Sequence, residues 1–135
     1  MKQIRLAGLA LAGILAAACG SSGPNDSSCT GEDPLAFQVS DGFTPTFSWT
    51  PACTVAQLRV TRLAGGGDPE LEVWAVLSST NSFTGPVTYG TVPAGAAEIT
   101  PNQLLQPGKS YVMVVSYREH DSGLLFVAGQ ANFTR

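Results

Sequence analysis

Few residues in this 135-residue chain carry groups suited to chemistry, and their spacing does not favour catalysis. The one histidine, His120, stands beside Asp121. A His–carboxylate pair works as a base when a nucleophile or second acid lies within hydrogen-bond reach, and the sequence names no such third residue. Set in Glu119-His120-Asp121-Ser122-Gly123, between two apolar runs, the pair reads as a solvated loop tip. Asp68, Glu70 and Glu72 follow Gly65-Gly66-Gly67. Calcium needs about six to eight oxygens held on a spaced loop of the D-x-D-x-D-G kind. This cluster therefore reads as a turn running into a strand whose edge carries negative charge. Three cysteines and one histidine are too few for a Cys/His zinc site. The residues point to no catalytic group, no metal and no cofactor, and so to a protein that is not an enzyme.

A ligand could instead be held by stacking. Trp74, Phe83 and Tyr89 fall within sixteen positions and are candidate ligand-binding residues, since aromatics gathered on a sheet face can stack on sugar rings. In the run 70–78, Val73, Ala75 and Leu77 share one face, and Trp74 and Val76 the other. Trp74 is then either core beside Val76 or an exposed platform. Composition removes other classes. Seven Lys and Arg against 10 Asp and Glu give a net charge of -3, with no basic stripe to follow a row of phosphates, so nucleic acid is excluded as a partner. An apolar fraction of 44% with only 13% charged residues excludes a disordered chain.

The first residues form an address. Lys2 and Arg5 precede the uncharged stretch 6–18, made only of Leu, Ala, Gly and Ile, which runs into Cys19. A basic start, an apolar stretch and small residues before a cut site compose a signal peptide over 1–18. At 13 residues the stretch is shorter than the ~20 a membrane-spanning helix requires. Leu15-Ala16-Ala17-Ala18-Cys19, followed by Gly20-Ser21-Ser22-Gly23, resembles the lipobox of bacterial lipoproteins, with Ala16 where that family usually has Leu. The resemblance implies lipid attachment at Cys19, the first residue of the mature chain. Ordinary signal peptidase cutting the same bond would leave a free thiol there. Two or three acyl chains, at ~0.8 kcal/mol per buried CH₂, make a lasting anchor. Gly20 stands where Asp accompanies inner-membrane retention in this family, which implies the outer membrane, on its periplasmic or surface face. The partners expected are the membrane through the lipid, and an envelope protein or a glycan. Without Lys2 and Arg5, five basic residues face 10 acidic ones, and a domain near -5 is held off an anionic surface.

With Cys19 acylated, Cys29 and Cys53 remain as a disulfide pair in an oxidising compartment. Asp41-Gly42 separates the β-prone runs 35–40 and 44–50, and a hairpin turning there pairs residues whose numbers sum to about 83. Cys29 and Cys53 sum to 82, so their sulfurs should meet across the open end of the hairpin. Closing a loop of about 25 residues is worth roughly 3 kcal/mol in the chain-entropy account. Residues 19–33 read as a tether rich in Gly and Ser. Its stretch 20–28 spans about 17 Å as a coil.

The elements that follow are strands. Apolar positions alternate in short runs between Gly, Pro, Asn and Ser, without a 3.6-residue period, over 35–40, 44–50, 56–63, 70–78, 86–92, 97–100, 110–118 and 124–134. Run 110–118 is apolar on both faces and suits a central strand. Run 124–134 places Leu125, Val127 and Phe133 on one face and Gln130 and Asn132 on the other, which suits an edge. Seven or eight short strands predict an all-β sandwich. Trp49 in Phe47-Ser48-Trp49-Thr50-Pro51, and Leu105-Gln106-Pro107-Gly108-Lys109-Ser110-Tyr111, resemble the second-strand Trp and the L-x-P-G-x-x-Y signature of fibronectin type III domains. The resemblance implies a fibronectin type III/immunoglobulin-like sandwich over 34–135, with Trp49 in the core and Tyr111 as a tyrosine corner above Leu105. Together these readings describe a membrane-anchored envelope lipoprotein acting as a binding or spacer module, with a carbohydrate-binding module as the alternative.

Overall fold

The computed structural model describes residues 27–135; the expected signal peptide and the expected lipid attachment at Cys19 lie outside the described residues. Eight strands form: β1 (Ala36–Val39), β2 (Thr46–Thr50), β3 (Gln57–Arg62), β4 (Leu71–Leu77), β5 (Val87–Thr88), β6 (Ala97–Thr100), β7 (Ser110–Arg118) and β8 (Leu125–Thr134). They make two antiparallel sheets, one ordered β1-β2-β5 and the other β6-β4-β3-β7-β8. The molecule is an all-β sandwich. As the two apolar faces of run 110–118 suggested, β7 is interior, with β3 and β8 as neighbours, while β8 forms an edge. The expected strand 86–92 shrinks to two residues, because Thr91 N–H turns back to Thr88 C=O over Gly90, whose φ of 79° suits glycine.

The core lies between the sheets. Val76, Leu58 and Val115 sit side by side on β4, β3 and β7, and Trp74, Val60 and Met113 form the next row; all six are fully buried. Phe47 and Trp49 face them from β2. Rings join the layers: Phe47 lies 5.6 Å from Phe133, and Tyr111 stacks on Phe133 at 5.4 Å.

Three further sequence expectations change. β8 does not keep one period along its length. The pairing with β7 shifts at Val115/Ser116, leaving Ala128 as an extra, buried residue, so Val127 is exposed while Phe133 packs against the core. The hairpin β1–β2 turns as expected, but its pairs, such as Phe37 with Trp49, sum to 86 rather than 83. The cysteines therefore do not meet by extending that ladder. Ser28 forms a parallel bridge with Thr54, and Cys29 N–H and Thr54 N–H donate to Thr54 O and Ser27 O at 2.9 and 3.0 Å. Finally, the tether is shorter than expected. From Ser28 the chain already belongs to the fold, and a Cβ on Gly31 would meet Val127 O at 3.3 Å and the Tyr117 ring at 3.5 Å.

Candidate functional site

Strand polarity gives the sandwich two distinct ends. β3 starts, and β2, β4 and β7 finish, at the end where the chain arrives from Ser27. There the Cys29–Cys53 disulfide closes, with Cα atoms 5.0 Å apart and both residues buried. Beside it opens a cleft of about 540 Å³, walled by the arriving segment, the loop after β4 and the β7–β8 hairpin. Ser28, Glu32, Asn81, Arg118, Glu119 and His120 are among its lining residues.

Asn81 is the organising residue of this cleft. Its Nδ2 donates to Ser28 Oγ at 3.0 Å and to Arg118 O at 2.8 Å, while its Oδ1 accepts from Arg118 N–H at 2.6 Å. One side chain thus ties three segments that no sheet ladder joins. Arg118 is also committed to structure: Nη1 donates to Gly123 O at 2.6 Å and Nη2 to Ser78 O at 3.1 Å. His120 and Asp121 sit exposed on the hairpin tip. The Asn81 amide and the Arg118 Nη atoms are spent on holding these loops together. Sequence reasoning missed Asn81, because a polar residue between strands carries no mark of its distant partners.

The aromatic trio is not a platform. Trp74, Phe83 and Tyr89 are 0%, 5% and 4% exposed. Trp74 takes the core position beside Val76, with Nε1 donating to Glu98 Oε1 at 2.9 Å and its ring edge-on to Tyr89 at 5.2 Å. The Tyr89 hydroxyl donates towards Gln103 O at 2.6 Å and Val73 O at 3.2 Å. Burial pushes its pKa up to about 12. No ring face is left for a sugar, so the stacking expectation is corrected.

At the far end, the Tyr111 hydroxyl accepts from Gln106 N–H at 2.8 Å, with Tyr111 and Leu105 both buried. Asp68 and Glu72, read together from sequence, go to separate partners. Lys109 Nζ lies 2.6 Å from Asp68 and holds its carboxyl below the usual value, first by hydrogen bonding and then by charge. Glu72 accepts from Thr100 Oγ1 and lies 3.9 Å from Arg59. Among the described residues, no three His, Cys, Asp or Glu side chains group as metal ligands. Compared with known proteins, the chain matches no family model, and no curated protein or solved structure is significantly similar to it.

Proposed function

We propose that this chain is a lipid-anchored module of the bacterial cell envelope, held by Cys19 on the outer membrane and acting as a non-enzymatic binding or spacer domain. One observation carries the reading. Only nine residues separate Cys19 from Cys29, which is buried, hydrogen-bonded to Thr54 and disulfide-linked to Cys53. A domain pulled by its N-terminus needs its first structured segment fastened, and this one is fastened covalently at Cys29. The Gln106–Tyr111 hydrogen bond and buried Leu105 support a fibronectin type III-like character for the sandwich.

The test is fractionation of a bacterium expressing the full chain. Wild type remains with membranes through salt and alkaline washes and is released by detergent, whereas Cys19→Ser appears in the soluble fraction. Equal release of the two proteins contradicts the reading.

A further inference from the structure

We propose that the exposed apolar strip 124–127 rests against the uncharged interfacial region of the bilayer to which Cys19 fastens the chain; this rests on the anchor reading above. Leu124, Leu125, Phe126 and Val127 are 60%, 37%, 43% and 58% exposed. Single exposed apolar residues are ordinary, whereas four in succession mark a contact surface. Phe126 is stiffened by stacking on Tyr117 at 5.9 Å.

Chain length and position select the occupant. The strip lies at the end where the chain arrives, and Gly31 of the arriving segment packs against the backbone of Val127. Cys19 precedes Ser27 by eight residues, which cover at most about 28 Å fully extended. The ten residues of β8 span roughly 33 Å, so an anchored domain cannot stand upright on its far end, and the near end stays within the tether's reach of the bilayer. Charge narrows the lipid. Residues 124–134 carry no charge; Glu32 and Glu119 line the cleft beside the strip and Asp121 sits on its hairpin, as against the charge of Arg118, whose guanidinium is held by Gly123 O and Ser78 O, so neutral headgroups fit better than anionic ones.

The mature chain with its disulfide intact has one free thiol, Cys19, which can be coupled to a maleimide lipid in phosphatidylcholine vesicles. Amide exchange at 124–127 should slow by roughly fivefold relative to the uncoupled protein, with the 65–67 loop unchanged. Anionic phosphatidylglycerol vesicles should slow it less. Replacing Leu124, Leu125, Phe126 and Val127 together by Ser should abolish the slowing, and Val127→Lys alone should weaken it in a protein that melts as wild type does. Equal exchange in coupled and free protein overturns the proposal, as does slowing that depends on protein concentration without vesicles, the mark of a second copy. Chemical coupling makes this result independent of acylation in cells, which is read from the mass of the natural N-terminus.

Discussion

The two ends of the sandwich are closed by different means. Where the chain arrives, closure relies on long-range fasteners: the Cys29–Cys53 bond and the Asn81 side chain, which reaches across to Ser28 and Arg118. At the far end, closure combines a local cap with backbone pairing between the turn before β7 and Arg135. Tyr111 caps the turn five residues before it, Gly108 supplies a φ of 73°, and Arg135 N–H donates to Lys109 O at 3.1 Å. The difference follows from what each end must hold. Segment 27–33 has a single bridge and no ladder of its own, so side chains and sulfur must do what paired backbones do elsewhere. A cap formed within one short span, as from Gln106 to Tyr111, needs only the right residues in sequence.

Breaking the disulfide should have the largest effect. Cys29→Ser with Cys53→Ser is expected to lower unfolding free energy by about 3 kcal/mol in denaturant titration, with fast amide exchange confined to 27–33 and 51–56. Exchange that rises equally at the far end would erase the distinction. Asn81→Ala comes next. It leaves the amide and carbonyl of Arg118 without their side-chain partner, a loss of about 2 kcal/mol, and frees Ser28. Tyr111→Phe acts on the other end. Without the hydroxyl, Gln106 N–H loses its acceptor, and about 1 kcal/mol should go while exchange at 27–33 stays as in wild type. A pH effect is the smallest. The carboxyl of Asp68 titrates below its ordinary 3.8 because of Lys109, so its contribution is present above that value and fades as pH falls through the lowered one. The pair is exposed, so the change in stability should be slight. The direct check is an NMR titration in which Lys109→Met returns Asp68 towards 3.8.

Where a signal is local, the sequence carries it. Asp41-Gly42 marks a real hairpin, and the span from Leu105 to Tyr111 marks a real corner. Period-2 alternation also locates the strands, including interior β7 and edge β8. It fails at bulges. The shifts beside Val60 and Ala75 leave Val73, Trp74, Ala75 and Val76 all buried, so alternation could not decide whether Trp74 faced water. The extra residue Ala128 likewise turns a strand with one wet side into an apolar strip, exposed at 124–127. The cysteine pairing was legible, but its route was not, since a parallel bridge at Ser28 and Thr54 leaves no trace in spacing. Asn81 has partners 37 and 53 residues away, beyond any local pattern.

The central claim is that this sandwich hangs from a lipid at Cys19, with its stapled end towards the membrane. Mass spectrometry of the N-terminal peptide, taken from protein purified out of bacterial membranes, tests it most directly. The account predicts a chain that begins at Cys19 and carries two or three acyl groups. An unmodified Cys19 thiol, or a chain that retains residues before it, would contradict the account.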